Sequence, residues 1–399
     1  MLQKTIFHFW MLYSGPASLV NDPFFPPSVE QMSEHAAARG AAECAAHLLR
    51  HCADQIEAFY NRMSREGYTG SADKCDKAWA REAARRLLRK FGDAGVAVRL
   101  AGATARRAAN NQAPGGRWTD ASLGLALRAI DPAPDGAPSV EVYATRGGAA
   151  MAAKLRRGHF DELARLHARE GRAREGRLLA RVFCCVHRYE TLFRFKGGHL
   201  SACPAAAFAA LRSGFEVYRE AFSSPLNRSF RSCDYFSLFY DVDRFFGSRG
   251  SFYAALPPPG SYQANPPYDA NSMTRAVEHI CATLDAYEHL GPKGATSFVL
   301  VLPRYFKNQR SQRRVDALLA RWRRHGETMH DALFDCGFQH RPEPNVSGHD
   351  FDARGVRWIS KCPIQLLWLQ NAAGHRRWPP DADRVAAVVA GFSVAANMD

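Results

Sequence analysis

The sequence predicts an α/β protein in two parts, a mainly helical domain over residues 1–196 and a sheet domain over 197–399. Three observations predict it. In the second half, short apolar runs alternate with helical stretches, the pattern of strand–helix–strand units around a mainly parallel sheet. One run, Ser-Phe-Val-Leu-Val-Leu at 297–302, is almost wholly apolar, as a strand buried on both faces requires. In the first half, apolar residues instead recur four apart, the spacing of one helix face. The glycine pair Gly197-Gly198 marks the boundary.

Taken in order, Ser28 and Gln31 after Pro26-Pro27 form a capping-box start. Leu48, Cys52, Ile56 and Tyr60 then share a helix face. Trp79, Ala83, Leu87 and Phe91 repeat the spacing, with Arg81, Arg85, Arg86 and Arg89 giving that helix a basic outer face. Residues 131–138 are a Pro/Asp/Gly loop, 140–143 suit a short strand, and one long helix is expected over 149–188. Residues 217–222 and 261–264 read as strands, each running into a turn-like segment. A helix is expected over 271–289, a strand at 297–302, and then a basic helix carrying Arg310, Arg313, Arg314, Arg321, Arg323 and Arg324. Residues 356–360 and 365–369 read as a closing antiparallel pair.

Lys plus Arg is 53 and Asp plus Glu is 39, a net charge of +14. Most of the cations are Arg, which pairs bidentately with phosphate and stacks on bases, so the excess points to a nucleic-acid partner. Ten cysteines include no CxxC pair and no zinc-finger spacing, so no metal is expected and reduced thiols of a nuclear or cytosolic protein fit best. No apolar run approaches the roughly 18 residues of a membrane span, so no membrane partner is expected.

The strongest local signal is Asn265-Pro266-Pro267-Tyr268, placed after a short strand and before a helix. A strand-ending turn also uses Asn and Pro, but the chemistry of adenine methylation explains all four residues. The N6 amine of adenine is a poor nucleophile because its lone pair is delocalised into the ring. The Asn265 side-chain carbonyl and the Pro266 backbone carbonyl can each accept one N6 hydrogen, drawing the nitrogen towards tetrahedral geometry. Two prolines stiffen the turn and preorganise these acceptors. Tyr268 can stack on the base. With a sulfonium methyl donor already activated, positioning carries most of the catalysis.

The cofactor loop is less explicit. In open α/β sheets ligands sit beyond the carboxyl ends of strands at a switch in strand order. The segment Ser224-Pro225-Leu226-Asn227 follows the first such strand but lacks a G-x-G turn. The following stretch, with Asp241, Asp243, Phe246, Gly247 and Gly250, offers acids for a ribose and glycines for close backbone approach; a surface loop would read the same way.

The runs Glu-Ala-Phe-Ser-Ser-Pro-Leu-Asn at 220–227, Phe-Gly-Ser-Arg-Gly at 246–250 and Gly-Ser-Tyr-Gln-Ala-Asn-Pro-Pro-Tyr at 260–268 together resemble the cap-specific adenosine-N6 methyltransferases, also called phosphorylated-CTD-interacting factor. Residues 298–303, Leu369-Gln370-Asn371 and Trp378-Pro379 follow at matching places, so the resemblance covers roughly 180–380. It implies a Rossmann-like class I methyltransferase domain preceded by a mainly helical domain. It also implies S-adenosyl-L-methionine as cofactor and N6-methylation of the first transcribed adenosine of capped RNA. Asn265, Pro266, Pro267 and Tyr268 are then catalytic, and Ser224, Pro225, Leu226, Asn227, Asp243, Phe246 and Gly247 bind the cofactor. Arg249, Arg304, Tyr305, Arg310, Arg313 and Arg314 are the RNA-contacting candidates. A nuclear location is favoured over a cytoplasmic one.

The sequence departs from the family in three places. Tyr268 replaces the usual Phe, Pro303-Arg304-Tyr305 stands where Pro-Glu-Trp is usual, and no WW segment is visible, so binding to the polymerase tail is not implied. Two other readings remain: N6-adenine methylation of DNA or internal RNA, and a catalytically silent RNA-binding homologue. A cationic 7-methylguanine would suit an aromatic face, for which Tyr60, Trp79 and Tyr189 are candidates.

Overall fold

The computed structural model describes residues 120–397, apart from 121–124, 134–135, 145–151, 173–175, 194–200, 230–233, 269, 305–308, 336–349, 352–356 and 394. The capping-box start at Ser28, the two helices expected around Leu48 and Trp79, and the candidates Tyr60 and Trp79 lie outside the described residues. Two compact units are present, one ending at residue 194 and one beginning at 195, the latter also including 133–137.

In the first unit, β1 (Leu125–Ile130), β2 (Ser139–Ala144) and β3 (Ala152–Arg156) form an antiparallel meander, followed by α1 (Arg157–Arg169) and α2 (Leu178–Phe193). The strand expected at 140–143 is therefore present. The single long helix over 149–188 is not: a strand and two helices occupy that stretch. Helix α1 stops just before Gly171, whose φ of +71° continues no right-handed helix. The Asp120 carboxylate restarts the chain as α2, accepting the N–H groups of Leu179 and Ala180 at 2.9 Å each. Tyr189 is buried in α2.

The second unit is built on a six-stranded sheet. Its strands are β4 (Arg219–Glu220), β5 (Asp234–Tyr235), β6 (Ser261–Ala264), β7 (Ser297–Pro303), β8 (Arg323–Met329) and β12 (Ile364–Gln370). They lie in the order β5-β4-β6-β7-β12-β8. The pairings β4–β5, β4–β6 and β6–β7 are parallel, while β12 runs antiparallel to both β7 and β8. The sheet is thus mixed rather than simply parallel. Helices α3 (Ala205–Phe215) and α8 (Ala382–Ala390) cover one face, and α5 (Ala270–Glu288) and α6 (Gln309–Trp322) the other. The short α7 (Ala372–Arg377) leads from β12 towards α8. Strand periodicity sorts β7 between the two faces: Val299 and Val301 pack with Phe208, Leu211 and Val388, while Phe298, Leu300 and Leu302 pack with Val277, Ile280 and Leu319. That double burial is why the run is apolar throughout.

Three further expectations are corrected. Residues 217–222 contribute only the two-residue β4. Arg323 and Arg324 lie on β8, not on α6, because the helix ends at Trp322 and the chain passes directly into the edge strand. Residues 357–359 form β11 (Arg357–Ile359), which pairs with β9 (Leu333–Asp335) and β10 (Asp350–Phe351) in a separate small sheet, not with β12.

Candidate active site

The chain enters the large sheet at β4, steps to β5 on one side, then crosses to β6 on the other. Strand order therefore reverses between β4 and β6, and a crevice is expected beyond their carboxyl ends. The segments leaving β4 and β6 are those holding Ser224–Asn227 and Asn265–Tyr268. Because β4, β5, β6 and β7 are parallel, all four exits lie on one edge of the sheet.

The β4 exit closes without glycine. Ser223 N donates to Phe236 O at 3.0 Å, and Ser224 Oγ accepts the N–H groups of Leu226 and Asn227 at 3.2 Å each while donating to Asn227 Oδ1 at 2.7 Å. Arg228 N returns to Ser224 O at 3.0 Å. A serine side chain thus makes the turn that a G-x-G segment would make with its backbone. Ser224, Pro225 and Leu226 are buried, whereas Asn227 is partly exposed.

The β5 exit passes through the one-turn α4 (Tyr240–Asp243) and folds back on its own strand. Tyr235 Oη donates to Phe246 O at 2.9 Å, Arg249 N to Tyr235 O at 2.9 Å, and the Ser237 and Ser248 hydroxyls meet at 2.6 Å. Asp243 and Phe246 are fully buried in this loop, and the Asp243 carboxylate accepts Phe239 N–H at 3.3 Å. Gly247 takes a φ of +89° to end a short 3-10 turn, a conformation that explains the glycine. The side chain of Asp241 lies outside the described residues.

At the β6 exit, Pro266 is buried and Asn265, Pro267 and Tyr268 are partly buried. Asn265 Nδ2 donates to Ser201 O at 3.4 Å. Its Oδ1 is buried and has no hydrogen-bond partner among the described residues. A buried acceptor left open costs about 1–3 kcal/mol, a cost that a donor on a bound base would offset. The Tyr268 ring lies edge-on to Phe334, with centroids 6.3 Å apart, and its hydroxyl is likewise buried without a partner among the described residues. Burial holds this phenol well above its ordinary pKa, with the nearby Cys203 and Cys362 thiols adding to the effect. Behind the motif, Gln263 Nε2 donates to Cys203 Sγ at 3.3 Å, and burial raises that thiol's pKa far above its usual value.

The basic candidates are spread more widely. Arg304 is exposed at the end of β7 and Arg313 is exposed on α6. Arg310 and Arg314 lie on α6, but their side chains, like Tyr305, fall outside the described residues. Arg249 is exposed and pairs with Asp234 at 2.9 Å. Among the described residues, no group of three His, Cys, Asp or Glu could hold a metal ion, and no helix is long and apolar enough to cross a membrane.

Sequence reasoning missed Ser201, Phe334 and Trp358 beside the motif. Ser201, the nearest of them along the chain, lies 64 positions from Asn265, and nothing local in the sequence signals the approach. A buried glutamine in the middle of a strand, Gln263, was the one available hint that a polar partner packs beneath.

A family model described as "Phosphorylated CTD interacting factor 1 WW domain" matches residues 159–331. That description names a WW domain where the sequence reading found none; the residues matched run from α1 to just past β8 and include strands β4 to β8. The human protein named mRNA (2'-O-methyladenosine-N(6)-)-methyltransferase is 30% identical over 220 residues, 54% of this chain and 29% of its own length. The mouse protein of the same name is 29% identical over 220 residues, with the same coverage. The chain thus spans less than a third of the length of these curated relatives.

Proposed function

We propose that this protein transfers a methyl group from S-adenosyl-L-methionine to N6 of an adenosine, at the first transcribed position of capped mRNA. The observation that carries the reading is the buried, open Oδ1 of Asn265 at the carboxyl edge of the sheet. The strand order around it, parallel strands with one antiparallel strand inserted next to the last, supports reading the domain as a Rossmann-like class I methyltransferase. The names of the human and mouse relatives, which specify N6 of a 2'-O-methyladenosine in mRNA, support the acceptor atom, and the cap and the first position are drawn from the family resemblance of the sequence.

The bound cofactor would supply an electrophilic methyl on sulfonium. Residues at the strand exits would hold such a group: Asn227 and Gly247, partly exposed at the β4 and β5 exits, are open to it, and the Ser224 hydroxyl fixes the β4 turn. The Asp243 carboxylate and the Phe246 ring act from behind by keeping the β5 loop closed. Asn265 Oδ1 would accept one N6 hydrogen and the Pro266 carbonyl the other, drawing the nitrogen towards tetrahedral geometry and freeing its lone pair. The pocket reads a flat base with an exocyclic amine, so cap dependence requires a second site, for which the Arg-rich first domain is the source. Arg304, Arg313 and the flanking cations of α6 guide the RNA to the edge.

The test compares capped, uncapped and unmethylated-cap oligonucleotides that begin with adenosine. Transfer confined to the 7-methylguanosine-capped RNA is expected. Equal rates on all three would replace the cap reading with general adenine methylation of RNA or DNA. No transfer and no cofactor binding by calorimetry would leave a silent RNA-binding protein.

A further inference from the structure

Asn265 is useful only if its carboxamide faces the right way, since the two ends of an amide have opposite hydrogen-bond character. One end faces Ser201 O at 3.4 Å. A backbone carbonyl can only accept, so the amide nitrogen must be the atom that meets it, and Oδ1 is turned to the other side, where it stands open. The orientation of Asn265 is therefore set by whatever fixes the carbonyl of Ser201.

That fixing comes from the small antiparallel sheet. Ala202 exchanges two backbone hydrogen bonds with Asp335 on β9, at 2.8 and 2.9 Å. Strand β11 lies beside β9 with Trp358 opposite Phe334, their rings stacked at 4.9 Å and 17°. Trp358 Nε1 then donates to Ser201 Oγ at 2.5 Å. On its other side, Cys203 takes the hydrogen bond from Gln263, two residues before Asn265. The segment 201–203 is thus clamped between the small sheet and β6.

We infer that the small sheet is a positioning arm, in which Trp358 and Ser201 hold the carboxamide of Asn265 with its oxygen facing the adenine amine. Ser201 and Trp358 are positioning residues; they touch Asn265 or its anchor, not the reacting atoms. The inference rests on the proposed adenine-N6 transfer.

The test uses the full chain with asparagine side chains labelled with 15N, and single-turnover transfer to capped RNA. The Asn265 amide signal is assigned by its disappearance in Asn265→Ala. Ser201→Ala and Trp358→Phe, which keeps the ring on Phe334, should each shift that signal and lower the transfer rate three- to tenfold, with cofactor affinity within twofold of wild type. Ser201→Thr, retaining the hydroxyl, should restore both. In an Asn265→Ala background, Ser201→Ala should lower the residual rate no further, because coupled residues are non-additive. An equal fall in both backgrounds, or an Asn265 signal that does not move, would overturn the inference. A wild-type protein that methylates no adenine substrate overturns the proposed function and with it the purpose of the arm; an Asn265 signal that still responds to Ser201→Ala identifies that failure as one of function, not of geometry.

Discussion

Asn265 and Asn371 each stand directly after a strand of the six-stranded sheet, on opposite edges. Asn371 follows β12, whose reversed direction carries it to the edge where β7 begins. Its Oδ1 accepts Thr296 N at 3.0 Å and Gly374 N at 2.8 Å, and its Nδ2 donates to Gly294 O at 2.7 Å. It is fully buried and caps α7, and a Cβ at Gly374 would collide with the Thr296 carbonyl oxygen. Neighbouring Gln370 is equally committed, to Ser297 Oγ and Trp378 O. Asn265 has one partner for its nitrogen and none among the described residues for its oxygen. The same side chain therefore serves as a latch at one edge and is left open at the other, and only the open one is available for chemistry.

The largest effects should separate these two residues by kind. Asn265→Ala should lower methyl transfer by about 10²–10³, the usual cost of losing one oriented polar group in a preorganised site, with little change in melting temperature. Retention of half the wild-type single-turnover rate would reject its role. Asn371→Ala should do the reverse. It removes a helix cap and strips two buried N–H groups of their acceptor, a loss of about 2–4 kcal/mol in denaturant unfolding, while the rate per folded molecule stays near wild type. If Asn371→Ala instead abolished transfer without destabilising the fold, the contrast between the edges would collapse.

The same contrast explains what was legible beforehand. Asn-Pro-Pro-Tyr could be read because its chemistry is carried by contiguous residues after a strand. The all-buried β7 was equally plain from its apolar run. The Ser224 turn was only half legible, since a serine hydroxyl replaces the glycines by which such loops are usually found. Leu369-Gln370-Asn371 and Trp378-Pro379 mark family resemblance without marking chemistry: they lock the far edge, where Trp378 Nε1 also holds Glu216 at 2.9 Å. Arg323 and Arg324 were misplaced because the basic run continues unbroken while the backbone changes from helix to edge strand. Ser201 and Trp358 were invisible because their nearness to Asn265 is wholly tertiary.

A smaller effect is expected from the basic residues on the open edge. Arg304 and Arg313 are exposed, so reversing both to Glu should leave stability within about 0.5 kcal/mol. The Michaelis constant for capped RNA should rise. Its dependence on salt should flatten by about 0.7 in log–log slope for each phosphate that the protein no longer neutralises. The reversal of Arg376, exposed beside the Asn371 latch, should change neither quantity. A salt slope unchanged by the Arg304 and Arg313 pair, or flattened by the Arg376 reversal, would move the RNA path to the other edge.

The smallest effect should come from Tyr268→Phe. The Tyr268 hydroxyl is buried without a partner among the described residues, so it contributes an unmet desolvation cost and nothing to the open acceptor beside it. Its removal should stabilise the domain by about 1 kcal/mol, or roughly 2–4 °C in melting temperature, with the transfer rate within twofold of wild type. The pH dependence carries the sign. Burial raises this phenol above its ordinary pKa of about 10, so the unfolded chain gives up the proton first as pH rises. The neutral phenol's contribution is full below pH ~10 and declines above it, so the stability gap in favour of Phe should widen in that alkaline range and stay constant below it. Urea unfolding of both proteins on either side of that pH measures this directly. A tenfold loss of transfer in Tyr268→Phe would mean that the hydroxyl meets the substrate, and Tyr268 would then belong with Asn265 among the groups kept open for chemistry.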